Sequence, residues 1–190
     1  MRILTLTHGT QRPRLPAASI APILLVFGLL WAPAHAEAQD GEILCTVTEN
    51  GSPARGTVSV EQAGKTVAAG SCSGKLVVPV GKCKVTVRLD GALDTPSRSA
   101  VVQVTAAKAT PVAIDFETGV LEVRIESKGA RGTGMVTVNR GTERIGTLGA
   151  GVAARLSAGN YEIVVRLGGD ERRYSIELRP GQRRLVRAQF

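Results

Sequence analysis

The feature that most constrains the fold of this chain is an internal repeat. When the sequence is shifted by 78 residues, positions 41–91 align with positions 119–169 without a gap. After one loop is shortened by four residues, positions 98–116 align with positions 172–190 at an offset of 74. The matched positions include several glycines, which mark turns and close backbone contacts. We therefore expect two copies of one structural unit.

Within each copy, apolar residues alternate with polar ones over short runs that are separated by glycine-rich turns. A period of two is typical of strands with one buried face, whereas a helix repeats about every 3.6 residues. The same alternation places the side chain of Glu122 on the outward, polar face of its strand. About seven such strands per copy indicate two packed antiparallel sheets. The sequence thus predicts an all-β fold of two tandem antiparallel β-sandwich domains, at residues 37–117 and 118–190.

Residues 1–36 differ from the rest of the chain and have the layout of a signal peptide. They contain basic residues but no acidic residue, and their apolar run at 20–31 is shorter than the roughly 20 residues of a membrane-spanning helix. Ala34 and Ala36 supply the small side chains of a cleavage site, so we expect cleavage after Ala36. The sequence predicts a secreted or periplasmic protein whose mature part has no transmembrane segment.

The only two histidines, His8 and His35, lie within this leader, so the mature chain has none. Without histidine, the serine and cysteine triads, the usual general base and the commonest zinc ligand are all disfavoured. No glycine-rich segment leads into a helix that would hold a phosphate group. The sequence therefore predicts that the protein is not an enzyme and uses no cofactor.

The acidic residues do not form a metal-binding pattern. Asp90 with Asp94, and Asp170 with Glu171, lie in the corresponding loop of each copy, the loop whose length differs between the copies. A calcium ion takes roughly six to eight oxygen ligands, so two acids in such a loop are more typical of a solvated turn. No metal site is predicted.

Three cysteines follow the leader, and all of them lie in the first copy. The alternation within the strands places Cys45 and Cys83 on the buried face, where the second copy has Val123 and Tyr161. Cys72 lies in a glycine-rich segment that is expected to be a loop. In an oxidising compartment, three cysteines predict one disulfide and one remaining thiol, with the pairings 45–72, 45–83 and 72–83 all open. The alternative use of the remaining thiol is a disulfide-linked dimer.

The segments 78–87 (VPVGKCKVTV) and 156–165 (LSAGNYEIVV) resemble the L-P-x-G-x-Y-x-V-x-V core of carboxypeptidase-regulatory-like, PEGA and transthyretin-like domains. The segment 41–47 (GEILCTV) is similar to the start of those units. The first copy has Cys83 in place of the aromatic residue, and the second has Ser157 in place of the turn proline. The resemblance implies a prealbumin-like or immunoglobulin-like β-sandwich that serves as an accessory, spacer or adhesion module, and it carries no catalytic residues.

Arginine is concentrated in the second copy. Residues 37–116 carry eight basic and eight acidic side chains, whereas residues 117–190 carry thirteen basic and eight acidic ones, and twelve of the thirteen are arginine. Most of these arginines alternate with glutamates at outward strand positions, which favours ion pairs on a solvated face. The exceptions are Arg179, Arg183 and Arg184, which have few acidic neighbours in the sequence. Because guanidinium groups bind oxyanions bidentately, these three are the candidate anion site.

The aromatic content restricts the choice of anion. The mature chain has four aromatic residues, all at predicted core positions: Phe116, Tyr161, Tyr174 and Phe190. Nucleic acid is disfavoured, because its single-stranded forms are bound by stacking on exposed aromatic rings. The sequence therefore predicts a non-catalytic envelope module that binds an unknown protein or an anionic component, either polysaccharide or lipid headgroup. The alternative is a purely structural spacer, stalk or subunit without a ligand.

The leader prediction is tested by the N-terminus of the exported protein. We expect N-terminal sequencing to begin at Glu37, because the small side chains at 34 and 36 satisfy the export peptidase. An intact Met1 on exported material would contradict the prediction.

Overall fold

The computed structural model describes residues 39–128 and 130–190, and all regular secondary structure in these residues is β-strand. The strands of residues 40–116 are β1 (Asp40–Glu49), β2 (Ser52–Pro53), β3 (Gly56–Gln62), β4 (Lys65–Ser71), β5 (Lys75–Pro79), β6 (Gly81–Leu89), β7 (Ser97–Val104) and β8 (Thr110–Phe116). The strands of residues 118–189 are β9 (Thr118–Ser127), β10 (Ala130–Gly132), β11 (Met135–Arg140), β12 (Glu143–Gly149), β13 (Ala153–Ser157), β14 (Gly159–Leu167), β15 (Asp170–Leu178) and β16 (Arg183–Gln189). The all-β prediction is confirmed. The predicted leader, residues 1–36, lies outside the described residues.

The described residues form a first half, 39–117, and a second half, 118–190. Each half contains two four-stranded sheets, and its first strand is central to one of them. In the first half, β1 pairs with β5 through residues 40–44 and with β2 through residues 48–49. Strand β8 pairs with residues 43–49 of β1, a segment that overlaps both of these stretches. Since a strand has two edges, β8 lies on one edge of β1, and β5 and β2 share the other. In the second half, β9 has β13 and β10 on one edge and β16 on the other. The other sheets have the orders β4-β3-β6-β7 and β12-β11-β14-β15.

Most strand pairs are antiparallel, as predicted, but the pairs β1–β8 and β9–β16 are parallel. The connection from β7 to β8 carries the chain from one sheet of the first half to the other sheet. The connection from β15 to β16 does the same in the second half. Alternation of apolar residues is the same in parallel and antiparallel strands that have one buried face, so the sequence pattern did not reveal these two pairs.

In each half, both sheets contribute their inner side chains to one buried core. The buried core of the first half consists of Ile43, Cys45, Val47, Val58, Val60, Cys72, Val78, Cys83, Val85, Val87, Leu89, Ala92, Val104, Val112 and Phe116. The buried core of the second half consists of Leu121, Val123, Ile125, Val136, Val138, Leu148, Leu156, Tyr161, Ile163, Val165, Ile176, Leu178, Val186 and Ala188. Valine is frequent in both because its β-branched side chain packs well on a pleated sheet. Burial of each such side chain contributes about 1.5–3 kcal/mol.

Many structural details recur 78 residues apart. The strands β1 and β9 begin and end at this spacing, as do β5 and β13, and β6 and β14. The register shifts after Val60 in β3 and after Val138 in β11. A Cβ atom added to Gly56 would lie 2.7 Å from the carbonyl oxygen of Arg88, and one added to Gly134 would lie 2.5 Å from that of Arg166. Both positions therefore need glycine because a neighbouring backbone lies too close for a side chain.

The disulfide joins Cys45 on β1 to Cys72, which follows β4, with a Cα–Cα distance of 5.0 Å. Cys72 lies in the predicted loop, but it is only 2 % exposed, and its amide donates a hydrogen bond to the carbonyl oxygen of Gly56 (2.8 Å). The remaining thiol, Cys83, is buried in β6. Burial of the Cys83 side chain disfavours the disulfide-linked dimer that the sequence left open.

Thiol titration tests this arrangement. The unreduced protein should expose one reactive thiol per chain when it is unfolded. The same thiol should react slowly in the native state. Burial excludes the reagent and also raises the pKa of the Cys83 thiol, which lowers the fraction of reactive thiolate. Reaction with an aromatic disulfide reagent, with and without denaturant, measures both quantities. Three thiols in the unreduced, unfolded protein, or rapid reaction of the native protein, would contradict the pairing.

Candidate functional site

The outer face of the sheet that contains β14 and β15 carries ion pairs between neighbouring strands. Arg166 Nε lies 2.7 Å from Glu171 Oε2, and Arg173 lies 2.8 Å from Glu171 and 3.3 Å from Glu162. The hydrogen bond from Arg166, followed by that from Arg173, lowers the pKa of Glu171. These arginines are exposed and neutralised by their neighbours, as their alternation with glutamates predicts.

Glu122 on β9 departs from the sequence prediction, because it is only 7 % exposed although its parity turns it outward. Two guanidinium groups cover its carboxylate. Arg124 Nε and Arg183 Nη2 each donate a hydrogen bond of 2.8 Å to it. The bond from Arg183, followed by that from Arg124, lowers the pKa of Glu122. The prediction of a solvated glutamate is therefore wrong, because β16 lies beside β9 and brings a second arginine over it.

The three candidate arginines, Arg179, Arg183 and Arg184, do not form one cluster. Arg179 follows β15 and pairs with Glu177 at 3.3 Å, while Arg183 pairs with Glu122 at 2.8 Å. Arg183 and Arg184 are consecutive in β16, so their side chains leave opposite faces of the sheet. The sequence predicts few acidic neighbours for these arginines, but Arg179 and Arg183 each have an ion-pair partner. For Arg183 the reason is the pairing of β16 with β9, which brings together residues 61 positions apart.

A groove of about 470 Å³ lies beside β9 and contains a different set of arginines. We call it the arginine groove; it is lined by Glu122, Arg124, Ile125, Glu126, Arg131, Gly132, Thr133, Ala150, Gly151 and Arg187. It lies at a gap between the two strands that pair with one edge of β9. Strand β13 pairs with residues 118–122 and β10 with residues 125–127. Among the described residues, no strand pairs with residues 123–124 on that edge.

The charges of the arginine groove are set by strand register. Arg187 on β16 is directly paired with Arg124 on β9, so two like charges are neighbours. Arg131 on β10 is paired with Glu126. Glu126 also lies 4.0 Å from Arg187 Nε, at the limit of an ion pair. Within the described residues, the groove therefore holds three guanidinium groups and two carboxylates, one of which Arg183 also neutralises.

The first half has a groove of about 370 Å³ at the equivalent place, beside β1. Its lining is mostly apolar and includes the disulfide: Leu44, Cys45, Thr46, Val47, Thr48, Pro53, Ala54, Cys72, Ser73 and Gly74. Thr46 and Pro53 occupy the positions that Arg124 and Arg131 occupy 78 residues later. The groove is thus a feature of both halves, whereas its positive charge is specific to the second half.

A polar network connects the two halves. Arg155 Nη1 donates a hydrogen bond to Glu49 Oε2 (2.7 Å), and Asp94 accepts bonds from the Ser157 amide (3.1 Å) and Arg140 (3.2 Å). The Asp94 side chain is only 2 % exposed, so its prediction as part of a solvated turn is wrong. In the alignment of the two copies this turn is four residues longer than its counterpart, and it reaches the second half. No pattern in the sequence indicates this contact, because it joins residues that are 63 positions apart.

Tyr161 on β14 belongs to the same network. Its hydroxyl donates a hydrogen bond to the carbonyl oxygen of Ser157 (2.7 Å) and lies 3.4 Å from Asp94 Oδ2. Burial, followed by the negative charge of Asp94, raises the pKa of Tyr161 to about 12. Tyr161 therefore stays neutral at physiological pH and acts as a donor in the core, where the first half has Cys83.

Within residues 39–128 and 130–190, no three histidine, cysteine, aspartate or glutamate side chains are grouped closely enough to hold a metal ion. The part of the chain that the structure describes also contains no helix that is long and apolar enough to cross a membrane.

Comparisons with known proteins identify no family. No protein-family profile matches the chain, and no curated protein matches it significantly. Among solved structures, the Bacillus anthracis TIE protein is similar over 80% of this chain and 33% of its own, with 13% identity and a TM-score of 0.37. A leucine-rich repeat protein from Bacteroides thetaiotaomicron is similar over 80% of this chain and 26% of its own, with 15% identity and a TM-score of 0.32. The chain thus spans a third or less of each structure, and neither likeness bears on its function.

Replacement of Glu122 tests the role of its two arginines. The variant Glu122→Gln should lower the free energy of unfolding at neutral pH, because it leaves Arg124 and Arg183 without their shared counter-charge. The difference from the wild type should disappear as the pH falls through the pKa of folded Glu122, which lies below that of unfolded glutamate, about 4.3. Denaturant unfolding at several pH values measures this difference in the free energy of unfolding.

A matched control is Glu143→Gln, which removes the same charge at an exposed position of β12. It should change stability little. Equal effects of the two variants, or an effect of Glu122→Gln that persists in acid, would contradict the assignment.

Proposed function

We propose that the protein is an exported, non-catalytic binding module of the cell envelope, which binds an anionic partner through its second half. The observation that carries the proposal is the charge balance on the outer face of β9, β10 and β16. The described residues of this face include four arginines and two glutamates: Arg124, Arg131, Arg183, Arg187, Glu122 and Glu126. An excess of guanidinium groups on one sheet face favours oxyanions.

Two observations support export. The leader has the composition of a signal peptide, with expected cleavage after Ala36, although it lies outside the described residues. The pair Cys45–Cys72 fits an oxidising compartment such as the periplasm or the extracellular space. The non-catalytic character is supported by the absence of histidine from the sequence after His35.

Each half is proposed to be one copy of a duplicated β-sandwich of the prealbumin-like or immunoglobulin-like kind. The support consists of the strand bounds that recur 78 residues apart and of the two sheets that share one core in each half. A further recurrence is a cation–π contact. Arg98 lies 5.8 Å from the ring centre of Phe116, and Arg172 lies 5.3 Å from that of Phe190, at an offset of 74. The resemblance to carboxypeptidase-regulatory-like and PEGA domains agrees with an accessory role.

The second candidate function is that of a spacer or envelope subunit without a ligand. The network between the halves favours it. Asp94 and Glu49 of the first half are bonded to Arg140, Ser157 and Arg155 of the second, and the Asp94 carboxylate is withdrawn from solvent. Relative motion of the halves would break these hydrogen bonds at a cost in free energy, which suits a stiff connector.

Chromatography on immobilised anions separates the two functions. The mature protein should be retained on a carboxylated or sulfated polysaccharide at low ionic strength and should elute as salt is raised. Salt shortens the screening length from about 30 Å at 0.01 M to about 3 Å at 1 M, so exposed arginines lose their attraction. A neutral polysaccharide of the same kind is the control. Absence of retention on anionic polysaccharide, anionic vesicles and acidic polypeptide alike would favour the spacer.

A further inference from the structure

We infer that the arginine groove beside β9 binds a single carboxylate- or sulfate-bearing sugar unit of an acidic polysaccharide, through Arg124, Arg131 and Arg187. The inference rests on the proposed function and specifies its site and ligand. It moves the site from the candidate residues Arg179, Arg183 and Arg184 to the interrupted edge of β9.

The first argument is the juxtaposition of Arg124 and Arg187. They are directly paired on adjacent parallel strands, which lie about 4.8 Å apart, and like charges at such positions oppose folding. The neighbouring carboxylates only partly offset the repulsion between these two arginines. Glu122 is shared between Arg124 and Arg183, and Glu126 is 4.0 Å from Arg187. A bound oxyanion between the two guanidinium groups would supply the missing counter-charge.

The second argument is the size of the opening. In the described part of the chain, only residues 123–124 lack a strand neighbour on this edge of β9. The amide of Gly151 already donates a hydrogen bond to the Val123 carbonyl oxygen (2.7 Å). A peptide that adds to a sheet edge needs several consecutive free backbone groups. The opening is too short for a peptide strand, so it favours a compact group over an extended acidic peptide.

The third argument concerns the rim. Thr133 offers a hydroxyl beside the three arginines, which suits a ligand that carries both an anionic group and hydroxyl groups. Surfaces that bind membranes combine basic residues with tryptophan, phenylalanine or leucine. In the described part of the second half, the exposed large hydrophobic residues are only Met135 and Val152. The surroundings of the groove therefore favour a sugar unit over a lipid headgroup in a bilayer.

Two double variants of the full mature chain test the site. Arg131→Gln with Arg187→Gln removes two groove arginines, both of them exposed. The matched control, Arg144→Gln with Arg184→Gln, removes the same charge from exposed positions of β12 and β16 that do not line the groove. We expect the Kd for polygalacturonate or heparin to rise about tenfold or more in the first variant, which corresponds to about 1.4 kcal/mol, and little in the control. Thermal unfolding should be nearly unchanged in both.

The probes are polygalacturonate and heparin as anionic sugars, neutral dextran, vesicles of phosphatidylglycerol, and polyglutamate. Equal losses in the two double variants would overturn the groove as the site while leaving the proposed function standing. Binding of vesicles or polyglutamate that exceeds sugar binding and is lost in the groove variant would overturn the sugar as the ligand. A wild type that binds none of the anionic probes would overturn the proposed function, and the inference with it.

Discussion

The hydrogen bonding of β9 on both edges is the constraint on which the second half depends. On one edge, the parallel pairing with β16 brings Arg183 to the carboxylate of Glu122 and sets Arg187 against Arg124. The same pairing adds Val186 and Ala188 to the core. On the other edge, the neighbours are interrupted at residues 123–124, and the interruption opens the arginine groove. The charge pairing, the candidate site and part of the core therefore follow from the three strands that flank β9.

The first half uses the same arrangement with different chemistry. Its central strand β1 is interrupted at the corresponding place, and there Cys45 is joined to Cys72. The second half has Val123 and Ala150 at these positions, and it has arginines where the first half has uncharged residues. One half thus uses the site for a covalent link, which stabilises a domain by about 2–4 kcal/mol. The other half has no such link, and its groove is lined by arginines.

Part of the contact between the halves arises from the loop whose length differs between them, and another part arises from Glu49 at the end of β1. This loop is four residues longer in the first half, and it inserts Leu93 against the second core and Asp94 against the amide of Ser157. Tyr161, which replaces the Cys83 of the first half, supplies a hydroxyl to this contact. The two halves are therefore similar in strands and core but are not interchangeable, because each carries residues that only its own position requires.

The sequence by itself determined the longer strands and their buried faces, but not the short strands β2 and β10. Alternation is a local property, so it identified Ile43 and Cys83 as inward. What it did not determine is which distant segments are neighbours. The partner of Cys45, the burial of Glu122 and the reach of Asp94 all depend on contacts across the sheets. Such contacts join residues that are tens of positions apart, and no local period records them, so only the tertiary structure decided them.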